Sequence, residues 1–335
     1  MSGVVTAGPA PRGERIRSGL RRPWPVFLAR QLGRFAVSMV VLATAAFGMV
    51  HAIPGDPVRN ALGLNAQPAV VAATRRGLGL DDPLWTQYTD FLRGLVTWDL
   101  GDSLISHVPV ARLMTRLIPA TVGLASAAFV VAVVVSIPLG LLAGIATRDG
   151  RSRGTHVAFT SVTGVFSVVP DFVLGVGLVF VFSVTFKVLP VAGQAGPESY
   201  VLPVIALAAG PAALLARVVR VETQRVLAED YLRTARSKRL PARLVYLRHA
   251  LPNLLTAALT ISGLALSSLL AGTVLVESVF AWPGVGNQLV QSVLAKDFPV
   301  VEAMAVFFGG SVLLINLVVD VLIAVVDPRS VIKET

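Results

Sequence analysis

ETQRVLAEDYLRTARSKRLPARLVYLRHALPN, residues 222–253, is the stretch on which the reading of this chain turns. It is basic, partly amphipathic, and set between two long apolar runs. At helical spacing Leu227, Tyr231, Thr234 and Ala235 share one face, with Arg233, Arg236 and Lys238 around the rest. Leu240, Leu244, Leu247 and Leu251 then recur at steps of four, three and four, which predicts a second short helix. Pro241 fits the first turn of that helix, where its missing N–H is not needed. A helix pair with an apolar ridge and a basic rim, held at a membrane surface, is shaped to fit a groove on another protein. On pattern alone, the alternative is a basic loop attracted to anionic lipid headgroups.

The flanking sequence is built for a bilayer. Hydrophobic residues make up 54% of the chain and charged residues 14%. Apolar runs near the length that a hydrocarbon core of about 30 Å demands recur along it. Six spans can be drawn, at 31–53, 118–146, 155–186, 201–221, 254–277 and 300–326. Strand-like alternation is absent, so the expectation is an all-α membrane protein with six transmembrane helices. The second and third spans are longer than crossing requires, and Pro138 and Pro170 inside them are candidate kinks. Residues 1–27 read as a disordered basic tail, 28–329 as the membrane domain and 330–335 as a second tail, with 54–117 a large loop between helices 1 and 2. The first apolar run is longer than a signal-peptide core, so it reads as an uncleaved span.

Orientation follows from the basic residues. With both termini cytoplasmic, the inner segments hold Arg12, Arg15, Arg17, Arg21, Arg22, Arg30 and Arg34, then Arg148, Arg151 and Arg153, then the 222–253 loop, then Arg329 and Lys333. The two short outer loops hold only Lys187 and Lys296. That asymmetry is the positive-inside rule, and it accounts for the net charge of +10 without nucleic acid.

Further motifs stand in order along the chain. Pro54-Gly55-Asp56-Pro57 closes the first span. Leu78-Gly79-Leu80-Asp81-Asp82-Pro83-Leu84 leads into a helix for which Asp82 is the expected N-cap and Pro83 the first residue. Its stripe of Leu84, Tyr88, Phe91, Leu92 and Leu95 is an ordinary packing face. Glu277-Ser278-Val279-Phe280 precedes Trp282-Pro283-Gly284-Val285-Gly286, a tight turn with close backbone approach in which Trp282 reads as an interface anchor. Asp327-Pro328-Arg329 ends the last span.

Together with Asp230-Tyr231-Leu232-Arg233-Thr234-Ala235-Arg236-Ser237-Lys238-Arg239-Leu240, these motifs resemble the membrane subunits of bacterial ABC importers, in the dipeptide, oligopeptide and nickel branch. The 222–253 segment is similar to the cytoplasmic coupling (EAA) loop of that family. One position departs: where the family has Gly, this chain has Arg239, which would cost roughly 1 kcal/mol in a left-handed turn. The resemblance implies a type I importer permease fold in the bacterial cell membrane and a non-catalytic subunit forming half of the path for dipeptides or oligopeptides. It also implies a homologous second permease, two ATPase subunits that bind ATP and Mg, and an extracytoplasmic substrate-binding protein. Glu229, Asp230, Tyr231, Arg233, Thr234, Ala235, Arg236, Lys238, Arg239, Leu240 and Pro241 are the implied ATPase-coupling residues. Nickel-chelate and glutathione permeases of the same family remain alternatives, and a stand-alone secondary transporter or channel is the alternative from another class.

The sequence has no cysteine, no phosphate loop, no HExxH and no nucleophile elbow, so nothing in it suggests an enzyme, a cofactor or a metal site. Charges within apolar spans are costly and tend to be functional. Asp171, following Pro170, is the candidate for the translocation path, with capping of a helix half as the plainer role. Glu277, Glu302 and Asp320 are expected to sit near span ends, solvated at the interface. Asn316 and Asp320 share a face suited to helix–helix hydrogen bonds, and Gly140/Gly144 and Gly263/Ser267/Ala271 predict close helix packing.

Overall fold

The computed structural model describes residues 23–52, 55–63, 65–150, 152–237, 241, 244 and 251–326. Among them the chain is helical, and the one β-like feature is an isolated antiparallel bridge between Asp102 and Pro109. Among the described residues four helices are long and apolar enough to cross a membrane: α1 (Pro23–Ala52), α5 (Val110–Ala146), α8 (Val201–Ala228) and α12 (Phe298–Val326). A fifth candidate is the bent pair α6 (Arg153–Val168) and α7 (Asp171–Leu178), which continues as a π-helical turn over Val179–Thr185. Within the long helix α10 (Leu251–Val279), the stretch Ala265–Val279 is a shorter apolar helix.

Several boundaries differ from the sequence reading. Helix α1 starts at Pro23, so residues 23–27, expected in the tail, are helical. Phe27 explains this: it is buried against Ala324 at the far end of α12 and beside Trp24. Helix α5 begins at Val110 and runs unbroken through Pro119 and Pro138. The bend falls in the third span instead, where α6 and α7 meet at 99° across Val169 and Pro170. The large loop is itself mostly helical, with α2 (Pro57–Leu62), α3 (Pro68–Gly77) and α4 (Leu84–Thr97). Asp56 caps α2, accepting from Val58 N at 3.0 Å, and Arg75 joins Asp56 to Asp81 at 3.2 and 2.7 Å. Asp82 does not cap α4. Pro83 takes that position without a side-chain bond, and Tyr88 and Phe91 pack on Phe47 of α1.

Helices α8 and α10 form the middle of the bundle, with α5, α6 and α7 on α8, α12 on α10, and α1 on α12. Small residues make the closest approaches. A Cβ added at Gly140 would lie 2.5 Å from the carbonyl oxygen of Ala216, and one at Gly144 2.6 Å from Cβ of Thr223, so α5 and α8 meet at backbone distance. On α10, Gly263 abuts Val319 and Ser267 donates to Asn316 at 3.0 Å, while Ala271 of the same ridge is exposed. Gln31 donates to Asp320 at 3.1 Å and ties α1 to α12. Outward residues such as Val37, Val134, Leu142 and Val318 stay exposed, as lipid-facing positions should.

Candidate functional site

Helix α8 outlasts its apolar part and stops at Glu229, whose backbone turns extended (φ −64°, ψ 144°). The chain turns there and re-enters a helix, α9 (Asp230–Ser237). Leu232 N donates to the Glu229 carbonyl at 3.1 Å, closing the first turn of α9. Asp230 in that turn suits the positive end of the helix dipole. Leu232 is fully buried and fixes α9 to the bundle, while Tyr231 beside it is 43% exposed. The expected shared face of Leu227 and Tyr231 is therefore not formed. Leu227 is buried on α8 and Tyr231 faces out from α9, because the extended residue between them resets the helical phase. Arg233, Thr234, Ala235 and Arg236 belong to α9; Lys238, Arg239 and Leu240 lie outside the described residues. Most of the second predicted helix does too, apart from exposed Pro241 and Leu244, joined by a bond from Leu244 N to the Pro241 carbonyl at 2.9 Å.

A polar network braces the root of α9. Arg220 donates to Thr147 Oγ1 at 3.1 Å, lies 2.7 Å from His156 Nδ1 and stands over the Phe159 ring at 5.5 Å. Gln224 donates to the same threonine hydroxyl at 3.0 Å. The end of α5, the start of α6 and the extension of α8 are thus tied together. Sequence reading passed over these residues; basic side chains at a span end carry a plain topological meaning that hides a specific bond.

At the opposite end of the bundle, the Glu277–Gly286 motif forms a clasp. Glu277 and Trp282 are both fully buried, so Glu277 is not solvated at an interface and Trp282 is not a lipid-facing anchor. Glu277 Oε2 accepts from Gly286 N at 2.7 Å and Asn287 N at 3.1 Å, at the start of α11 (Val285–Ala295). Here two orphan backbone donors meet a carboxylate at the positive end of a helix. The Trp282 indole donates to the Ala120 carbonyl at 3.2 Å and stands edge-on to Tyr200, and Val285 N donates to Thr121 Oγ1 at 2.8 Å. Gly286 is required where it is: a Cβ would lie 2.6 Å from Cα of Val274. Replacing Glu277 by Gln keeps one acceptor oxygen and removes the charge. The expected cost is about 1–2 kcal/mol, read as a lower thermal midpoint in detergent.

Asp171 opens α7 just after the bend. Its Oδ1 accepts from Phe172 N at 2.8 Å, and the carboxylate packs against Gly272 of α10, where a Cβ would lie 2.6 Å from Oδ2. Pro170 is the residue before the helix. Beyond the clasp, a cavity of about 510 Å³ lies between the end of α1, α2–α4 and the start of α12, walled by Phe47, Phe91 and Phe298 and by Asp90, Asp102 and Glu302. Asp297, the residue before α12, is buried and takes bonds from the Ser103 hydroxyl and Leu104 N. No group of side chains with metal-ligating geometry occurs among the described residues.

Comparison with known proteins places this architecture. Residues 136–331 match the model of a family described as the binding-protein-dependent transport system inner membrane component, and residues 25–125 match the N-terminal model of that description. The chain is 37% identical over 303 residues to a glutathione transport system permease protein, GsiC, of Pectobacterium atrosepticum, covering 90% of this chain and 97% of that protein. It is 38% identical over 305 residues to the protein of the same description in Escherichia coli O6:H1, with the same coverage. In a crystal structure of an amino acid ABC transporter with histidines, one chain aligns with a TM-score of 0.48 and 18% identity, covering 63% of this chain and 93% of that one.

Proposed function

The chain belongs to the family of binding-protein-dependent transport system inner membrane components, and from that premise we propose that it is the half-channel of an ATP-driven importer of small peptides, glutathione among them, driven through α9. It is a membrane-spanning permease subunit of an inner-membrane transport system. The finer reading has six spans with both termini cytoplasmic, the helix α10 and the bent α6–α7 pair each counting as one span. A second permease completes the path, two ATPase subunits bind ATP and Mg, and an external binding protein delivers the solute. Glutathione is the first solute to test, because the relatives at 37% and 38% identity carry that description.

The observation that carries this reading is the build of α9. It is a short helix pinned by a buried Leu232, displaying Tyr231, and rooted in a network that joins three spans. Such a part can accept force from a docked partner and pass it to the bundle. Switching a two-state transporter from 1:99 to 99:1 needs about 5.5 kcal/mol of differential binding, which an ATPase dimer clamping two such helices can supply. The path is assigned to the bend at Pro170 and Asp171, where a broken span frees backbone polar groups that only a protein-lined or watered cavity can satisfy.

The test is purification of the tagged chain in mild detergent with its genetic neighbours, followed by ATPase assay with the binding protein and either glutathione or dipeptides. Co-purifying ATPase subunits and solute-stimulated hydrolysis are expected. A chain that purifies alone and moves solute without ATP would overturn the reading in favour of a stand-alone carrier.

A further inference from the structure

Helix α4 carries a wider apolar arc than its neighbour covers. Leu84, Tyr88, Phe91 and Leu95 form one stripe, and Trp85, Leu92 and Val96 form a second beside it, with Asp90, Arg93 and Thr97 on the far side. The first stripe meets α1 through Tyr88, which bonds with Thr44 at 2.7 Å and packs on Phe47, and through Phe91, which packs on the same ring. The second stripe stays open. Trp85 is 73% exposed and Val96 88%, and Trp98, just past the helix, is exposed too.

The contacts with α1 fix which way the open stripe points. Gln87 lies 3.2 Å from His51, at the end of the span, whereas Tyr88 reaches Thr44, roughly 10 Å deeper along α1. Turning about 100° round α4 from Gln87 to Tyr88 therefore leads inward, and Trp85, Leu92 and Val96 lie further round in that sense. Asp90, on the side of Gln87, lines the cavity at the end of α1 and the start of α12. The depth is set by α1 itself. From Phe35, after Arg34, to Ala52 the span has no Asp, Glu, Lys or Arg, and this run is about 27 Å long, close to the thickness of a hydrocarbon core. Thr44 and Phe47 thus stand at bilayer depth. On the same face of α1, at steps of three and four, Val37 and Val40 are exposed to lipid below α4. Trp85 and Trp98 stand roughly 20 Å apart along the chain, the residue type that settles at membrane interfaces.

We propose that α4 is an interfacial membrane helix, with its Trp85, Leu92 and Val96 stripe seated on the acyl chains of the leaflet at the Ala52 end of α1. In the six-span reading this is the outer leaflet. The occupant follows from continuity: the open stripe faces the same lipid that covers Val37 and Val40, and it carries no charged side chain, while Asp90 and Arg93 keep to the other sides of the helix. The bilayer then holds one wall of the cavity between α1, α2–α4 and α12 from below, and leaves its polar side to water.

The chain has no cysteine, so Trp85→Cys and Val96→Cys each introduce its only thiol, to which a nitroxide can be attached. In the complete complex in proteoliposomes, both labels should collide with oxygen, which concentrates in lipid, in preference to a water-soluble nickel chelate. The oxygen-to-nickel ratio should stand about tenfold above that of Arg93→Cys on the polar side. Val40→Cys sets the lipid limit, and the unsubstituted complex taken through the same labelling controls for thiols on partner subunits. Nickel-dominated collisions at position 85 or 96 place the stripe in water and overturn the proposal. An immobilised label that neither reagent reaches also overturns it, by assigning the stripe to a protein partner such as the second permease or the binding protein. If Trp85→Cys fails to assemble, Val96→Cys decides alone, since so exposed a side chain carries little of the fold. Nickel-dominated collisions at Val40→Cys would overturn the proposal through the span assignment of α1 on which it rests.

Discussion

Tyr231→Ala should leave the assembled complex hydrolysing ATP while solute uptake falls at least about tenfold. An exposed tyrosine on a short docked helix has the profile of an interface anchor, and truncating such a residue costs on the order of 2 kcal/mol or more of binding. Tyr231 is 43% exposed on a helix whose other side is held by the buried Leu232, so losing its ring should weaken a partner contact and spare the fold. Leu232→Asp supplies the contrast. It places a charge where the side chain is fully buried, detaches α9 from α8, and should abolish assembly and uptake together. Uptake and ATPase activity measured on the same preparations distinguish the two. Equal loss of hydrolysis and transport in Tyr231→Ala would mean that the tyrosine stabilises the bundle and does not couple it.

The helix Asp230–Ser237 within the 222–253 segment was legible because its cues are local: charge and helical spacing lie within a few turns. The break at Glu229 was not. Glu229 is neither Gly nor Pro, so periodicity runs straight through it and puts Leu227 and Tyr231 on one face that the structure divides between two helices. Small residues in apolar spans were readable for the opposite reason: in lipid they have few uses besides close packing, and Gly140, Gly144 and Gly263 all serve that use. Asn316 and Asp320 likewise found the helix partners expected of them, in Ser267 and Gln31.

Trp282 shows where local reading fails. A tryptophan at the end of a span has a common explanation at the membrane interface, but this one is fully buried and its indole is satisfied by a carbonyl 162 residues earlier in the chain. The same holds for Arg220, whose partners Thr147 and His156 come from other helices. Span ends were misjudged because apolar content marks only the lipid-crossing part. Helices α5 and α8 continue past it, held by tertiary contacts that leave no periodic mark.

The packing of α5 on α8 yields the largest expected effect on stability. Gly140→Val would drive a branched side chain against the carbonyl oxygen of Ala216 at 2.5 Å and Cβ of Val219 at 2.6 Å. The first of these is backbone inside a helix and cannot rotate away, so the helices must separate. Separation breaks the most extensive helix pair among the described residues, and with it the contact of Gly144 with Thr223 that aligns the network at the root of α9. Overpacking a tight core costs about 1–3 kcal/mol, and more where only backbone can give, so a loss of roughly 3 kcal/mol or more is expected. Gly164→Ala on α6 is the matched control, since a Cβ there meets nothing within 4 Å. In a helix interior that change should be neutral or stabilising by up to about 1 kcal/mol. Thermal unfolding in detergent should therefore show Gly140→Val far below the parent chain and Gly164→Ala at or above it. Equal midpoints for the two variants would mean that α5 and α8 do not meet at Gly140, and the lever from α9 into the bundle would have to run through another pair of helices.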